Sequence, residues 1–156
     1  FLGVDPVMTR DTEEITYPSE AKTIAAMKKW DTRRRVEIAE SVDSPVFLSI
    51  HQNIYPSSGP HGSQVLYAQN EPSRALAELI QSRLTAALLP ENRRVPVPAG
   101  KDIYIMSHVQ CTAVLVECGF LSHPQELSLL QSADYQKKIA SVLTACYLQF
   151  TEKGVL

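Results

Sequence analysis

Two short apolar runs, Pro45-Val46-Phe47-Leu48-Ser49-Ile50 and Ala113-Val114-Leu115-Val116, constrain this chain more than any other feature. A strand that is apolar at successive positions offers apolar side chains to both of its faces and needs cover on both. Such strands belong in the middle of a largely parallel sheet with helices packed on either side. Each run also ends on a side chain that can hold a proton or a metal, His51 in the first case and Glu117 in the second. Sheets of this kind bind ligands at the carboxyl ends of their strands, so both residues stand where chemistry is expected.

The remaining segments supply the helices. Residues 20–42 hold neither Gly nor Pro and are rich in helix formers, which predicts a surface helix. After a strand expected over 63–68, Asn70 and Pro72 provide a cap and a first-turn proline. They open a helix with Leu76, Leu79, Ile80, Leu84 and Leu88 on one face. Ile103-Tyr104-Ile105-Met106 reads as a further strand. Ser122 to Gln125 fits a capping box, and Ile139, Val142, Leu143, Cys146 and Phe150 space out a final helix. Residues 53–62 hold two Pro, two Gly and two Ser, which predicts a long loop leaving the first apolar strand. Residues 90–102, with Pro90, Pro96, Pro98, Gly100 and the basic pair Arg93-Arg94, are not an interdomain linker, because neither flank can build a second core. The expected architecture is α/β: one domain over 1–156, with a central mostly parallel sheet and helices on both faces. Phe1 to Arg10 reads as the middle of a strand, so the sequence is expected to begin partway into its domain.

Composition narrows the function. Fifteen Lys and Arg against seventeen Asp and Glu leave a net charge of −2, which gives no attraction for phosphate backbones or anionic lipid. A nucleic-acid partner is not expected. The apolar runs fall far short of the roughly 20 residues that span a bilayer. Cys111, Cys118 and Cys146 show no C-x-x-C spacing and read as buried fillers.

His51 lies between a buried strand and an irregular loop, where an imidazole can bind a metal or can simply bond to backbone in a core. Glu117 is the more informative, since a carboxylate directly after four apolar residues needs a metal, a cation or a proton. Its structural alternative is an arginine partner such as Arg34 or Arg10. His61, His108 and His123 stand in loops or at element ends and read as exposed. Arg33-Arg34-Arg35 reads as a solvated face with one member able to turn inward to a carboxylate.

The wording around these residues is specific. Phe47-Leu48-Ser49-Ile50-His51-Gln52-Asn53 and Leu115-Val116-Glu117-Cys118-Gly119-Phe120-Leu121-Ser122-His123-Pro124-Gln125-Glu126 resemble the zinc-dependent N-acetylmuramoyl-L-alanine amidases. Val7-Met8-Thr9-Arg10-Asp11, Asp31 with Arg34, and Ile103 to Met106 match in order, and the approach to Glu117 together with the Tyr135 to Phe150 tail looks most like the spore-germination branch. The resemblance implies an α/β fold and a zinc ion held by two histidines and one glutamate. His51 matches the second zinc histidine and Glu117 the catalytic glutamate. The first histidine, in a Gly-His-Gly-Gly stretch, and the glutamate ligand are expected upstream of Phe1, together with the first strand and helix of the family fold. Gln52 stands where a small residue is common and His123 where Asn usually caps the helix, and neither change removes a ligand.

The resemblance further implies zinc-assisted hydrolysis of the amide between the lactyl group of muramic acid and L-alanine, with Glu117 as general base. Asn53 and the loop Ile54 to Gly62 are expected to line the glycan and stem-peptide groove. Peptidoglycan would be the partner, a polysaccharide deacetylase would act in the same pathway, and the location would be extracytoplasmic. Residues 1–156 by themselves are expected to bind zinc weakly and to be inactive. Two other readings remain at this point: a noncatalytic wall-binding or regulatory module with the amidase fold, and a cysteine hydrolase using Cys111 or Cys118 with His108.

Overall fold

A computed structural model describes residues 5–152. The order of elements is α1 (Ile24–Glu40), β1 (Val46–Asn53), β2 (Gln64–Tyr67), α2 (Glu71–Leu88), β3 (Val97–Pro98), α3 (Tyr104–His108), β4 (Thr112–Phe120), α4 (Pro124–Leu130) and α5 (Ala133–Glu152). The four strands form one sheet in the order β1-β4-β2-β3. β1 runs parallel to β4 and β3 parallel to β2, while β2 meets β4 antiparallel. The α/β architecture therefore holds, with a single antiparallel joint in the sheet.

β4 is its spine. Every residue from Thr112 to Val116 is buried, as an apolar run without alternation requires. Val114, Val116 and Cys118 pack on one side with Val65, with Leu76, Ile80 and Leu84 of α2, and with Ile139, Leu143, Cys146 and Phe150 of α5. Ala113 and Leu115 pack on the other with Phe47, Ala39 of α1 and Met106 of α3. Each fully buried Val or Leu contributes roughly 1.5–3 kcal/mol, so β4 is the element whose truncation the fold tolerates least.

β1 departs from its expected place. Among the described residues it is an edge strand paired with β4 alone, and on the α5 side of the sheet Leu48 and Ile50 are 38% and 60% exposed. The apolar run is covered where Phe47 and Ser49 point toward α1 and α3, and on the other face at Val46, which packs against the α2 and α5 cluster. Ile103 to Met106 is also different: it enters the short helix α3, because Met106 is buried against Phe47 and Leu115 with Ile103 and Ile105 packed beside it. β-propensity yields there to the space available under α1. The strand read across Phe1 to Arg10 does not form over residues 5–10, and residues 1–4 lie outside the described set.

The expected helix starts have physical caps. Thr23 accepts from the Ala26 N–H at 3.1 Å and Asn70 from the Ser73 N–H at 2.9 Å. α4 is capped one residue later than expected, by His123, whose Nδ1 accepts from the Glu126 N–H at 3.4 Å. Ser122 is left free to accept from the Tyr55 N–H at 3.1 Å, across the loop.

Candidate active site

The parallel register places His51 directly beside Glu117. Side chains alternate along a strand, so His51 shares a face with Phe47 and Ser49, and Glu117 with Ala113 and Leu115; both residues therefore look toward the α1 and α3 side. On the other flank of Glu117, β2 contributes Gln64 at the partnered position. A row of His51, Glu117 and Gln64 thus crosses the carboxyl end of β4, each about 4.7–4.9 Å from the next.

Glu117 carries the sharpest electrostatic signature. Its Oε2 is buried and has no hydrogen-bond partner. Neither arginine proposed as a structural partner reaches it: Arg34 bonds Glu37 at 3.3 Å on the surface of α1, and Arg10 is exposed outside any regular element. Burial with no compensating cation raises the Glu117 carboxyl above its ordinary 4.5. His51 is shifted the other way, lowered from 6.5 first by partial burial and then by the positive charge of Arg35. Arg35 is the inward member of its arginine run, held by Asp31 at 3.0 Å with both side chains about one-fifth exposed. Only the rotation of α1 on the sheet distinguishes it from Arg34.

These two residues fit part of a zinc site. A neutral imidazole is the ligand form of histidine, and the environment of His51 favours it. An orphaned carboxylate oxygen beside it suits a base that takes a proton from water. Among the described residues no three His, Cys, Asp or Glu side chains come together as a metal shell, so this part of the chain supplies one nitrogen donor.

Asn53 lies at the end of β1 with its Oδ1 accepting from the Ile54 N–H at 2.8 Å, which leaves its Nδ2 available. The loop that follows is strapped over the carboxyl end of β4. Leu121 donates its N–H to the Asn53 carbonyl at 2.8 Å, and the Gly62 N–H donates to Glu126 Oε1 at 2.8 Å. Gly62 takes a φ of +89°, and a Cβ there would meet Asn92 Oδ1 at 2.6 Å, so the loop can close only on glycine. The ring of His61 sits 5.2 Å from that of His123.

The cysteine alternative loses its parts. Cys118 is buried with its thiol pushed up to about 11 by burial first and by Glu117 second. His108 stacks on Tyr104 and its Nδ1 bonds the Tyr104 carbonyl at 2.8 Å, and among the described residues it makes no hydrogen bond to either cysteine. Buried, high-pKa thiols are poor nucleophiles. Reading from sequence missed Gln64, the polar residue that opens β2, and Glu126, which needed the loop path; it expected one of Arg33-Arg34-Arg35 to turn inward to a carboxylate, and the helix rotation makes that member Arg35.

A family model for N-acetylmuramoyl-L-alanine amidase matches residues 2–146. The chain is 35% identical over 157 aligned positions to the germination-specific N-acetylmuramoyl-L-alanine amidase of Bacillus subtilis, covering 97% of this chain and 64% of that protein. It is also 35% identical to the amidase LytC of Bacillus subtilis, over 73% of this chain and 23% of LytC. The CwlD amidase of Clostridioides difficile, solved in complex with the GerS lipoprotein, superposes with a TM-score of 0.86 at 30% identity, covering 94% of this chain and 75% of that one. The catalytic domain of CwlV from Paenibacillus polymyxa shares the fold, with a TM-score of 0.70 at 23% identity. The chain thus spans a little under two thirds of the length of the germination-specific relative. On the extent of the family match and the likeness to the germination-specific enzyme, the chain belongs to the N-acetylmuramoyl-L-alanine amidase family.

Proposed function

We propose that residues 1–156 form one catalytic domain of a zinc-dependent peptidoglycan amidase that cleaves the bond between N-acetylmuramic acid and L-alanine, acting on spore cortex outside the cytoplasm. The observation that carries this reading is the buried, unpartnered Glu117 Oε2 beside His51. When bound, zinc polarises the scissile carbonyl and acidifies water. His51 is its ligand from this part of the chain, held on the sheet by the β1–β4 register and kept neutral by burial and Arg35. One histidine and one glutamate upstream of Phe1 complete the shell in this proposal.

Glu117 takes a proton from water and delivers it to the leaving amine. Its raised pKa brings it closer to the pH at which a base both stays ionised and binds protons well. Asn53 and the strapped loop, with Ile54 and Tyr55 exposed on it, hold the substrate strand. A polysaccharide deacetylase acts on the same glycan, and the lipoprotein seen on CwlD makes a lipoprotein a second candidate partner.

In the full-length protein, Glu117→Ala should abolish release of stem peptides while leaving bound zinc near its parent level. Retained hydrolysis refutes the mechanism. Deleting 54–61 should weaken peptidoglycan binding, and unchanged binding refutes the groove assignment. A module that binds wall without cleaving it would show binding with no released peptide in the parent protein.

A further inference from the structure

His61 and His123 take no part in the row of His51, Glu117 and Gln64. Their ring centres are 5.2 Å apart, with the planes inclined at 38°. The two rings come from segments that the fold has already joined. Gly62, the next residue after His61, donates its N–H to Glu126 Oε1 at 2.8 Å, and Glu126 lies in the turn of α4 that His123 caps. The His61 carbonyl accepts from Arg94 Nε at 2.7 Å, and the His123 N–H donates to the Phe120 carbonyl at 3.1 Å. The ring spacing is therefore set by backbone anchored on both sides.

The nitrogens are sorted as well. His61 Nδ1 lies 2.9 Å from the Gly59 carbonyl, which can only accept, so Nδ1 carries the proton and Nε2 the lone pair. Metal-ligating histidines are usually oriented by a bond of this kind. His123 Nδ1 faces the Glu126 N–H at 3.4 Å, longer than the ordinary N–H bond of about 2.7–3.2 Å. Moving the His123 proton from Nε2 to Nδ1 gives up that long contact, leaves the ring neutral and frees a second lone pair. The N–H so released stands at a helix start, where water commonly takes such donors. Among the described residues neither Nε2 has a protein partner. His61 is exposed and His123 half-buried, so ions in solution reach both.

Zinc stands about 2.0–2.1 Å from an imidazole nitrogen and hence about 3.2 Å from the ring centre, so a tetrahedral angle separates two such centres by about 5.2 Å. The two rings already have that spacing. The terminal torsion of histidine is broad, so turning the rings can aim both Nε2 atoms at one ion while the backbone stays in place. Arg94 and Glu126, bonded to the same two segments, offset each other in charge. Among the described residues no third His, Cys, Asp or Glu side chain joins the pair, so water fills the other positions and the ion is held less tightly than in a closed four-ligand site.

We infer that His61 and His123 form a second, open zinc site, separate from His51, that clamps the strapped loop to the start of α4. The ligand class is a divalent ion that favours imidazole, and the tetrahedral spacing selects zinc within it. The site does not depend on the amidase reading.

The test titrates Zn2+ by calorimetry into full-length protein dialysed free of loosely held metal. One equivalent should bind, more weakly than zinc retained through dialysis. His61→Gln and His123→Asn should each weaken it by at least about 10-fold, the lower end of what losing even an indirect partner of a metal costs. Asparagine still caps α4, so His123→Asn separates loss of a ligand from loss of the helix start. His108→Gln, at an exposed histidine elsewhere, should change nothing. Zn2+ should also slow hydrogen exchange of the Gly62 amide in the parent and in neither ligand variant. The inference is overturned by no saturable equivalent, by one that survives both ligand substitutions or is lost with His108→Gln, which marks an adventitious ion only, or by unchanged Gly62 exchange. His51→Ala should remove the tightly held zinc and spare the weaker equivalent; joint loss would merge the two sites and overturn the inference. Absence of tightly held zinc from the parent would instead count against the proposed function.

Discussion

Glu117 and Glu126 stand nine residues apart in sequence, one in β4 and one in the first turn of α4, and they live under opposite conditions. Glu126 is 8% exposed, yet both of its oxygens are satisfied, Oε1 by the Gly62 N–H and Oε2 by the Phe120 N–H, each at 2.8 Å. It ties the loop, the end of β4 and the first turn of α4 into one piece. Glu117 is less enclosed and has a buried oxygen with nothing to bond. Removing an ion from water without returning hydrogen bonds costs stability, so a fold keeps such a group where the charge has work to do. A fully bonded buried carboxylate holds structure together; an orphaned one carries a cost that suits the proton-transfer role proposed for Glu117.

Substitution should separate the two. Glu117→Gln should lower amidase turnover by about 100-fold to 10,000-fold, the usual contribution of a general base, in an assay of released stem peptide. Glu126→Gln should leave the residual chemistry per folded molecule similar but cost about 2–4 kcal/mol of unfolding free energy in urea, because a buried N–H then faces an amide NH2. If the two variants exchange phenotypes, the comparison collapses. His51→Ala should remove zinc from the purified protein by elemental analysis without a comparable loss of stability, since the side chain is only partly desolvated and makes no hydrogen bond among the described residues.

Proton linkage gives two smaller tests. The folded-state pKa of Glu117 is raised, so the unfolded chain releases this proton first as pH rises, and stability present below about 4.5 is lost as pH climbs toward the raised value. In metal-free protein, Glu117→Gln should therefore raise the melting temperature by a few degrees at neutral pH and by nothing near pH 4. In metal-free protein the Glu117 carboxyl, followed by NMR, should titrate above the ordinary carboxyl range, and titration at or below 4.5 would show that burial does not govern it.

Much of this was legible without coordinates. His51 and Glu117 each follow an apolar run, and that adjacency placed both toward the carboxyl ends of their strands, although β1 runs on to Asn53 and β4 to Phe120. Asn70 with Pro72 announced α2, and the spacing of Ile139, Leu143, Cys146 and Phe150 announced α5. Local chemistry decides such features. Ile103 to Met106 misled because four apolar residues satisfy a strand and a buried helical turn equally, and only packing against Ala39, Phe47 and Leu115 chose between them. Arg34 and Arg35 could not be ranked either, since adjacent helix positions differ by about 100° and the docking of α1 decides which one turns inward.

By itself, the order of residues determined the α/β class, the apolar spine and the two chemically competent side chains that follow the apolar runs, because hydrophobic periodicity and capping act over a few neighbours. The tertiary structure alone decided that His51 and Glu117 are partners although distant in the chain, that β1 lies at an edge, and that Glu126 is satisfied while Glu117 is not. Strand register and the desolvation of a carboxylate depend on which distant segments arrive beside it, and no local pattern specifies that.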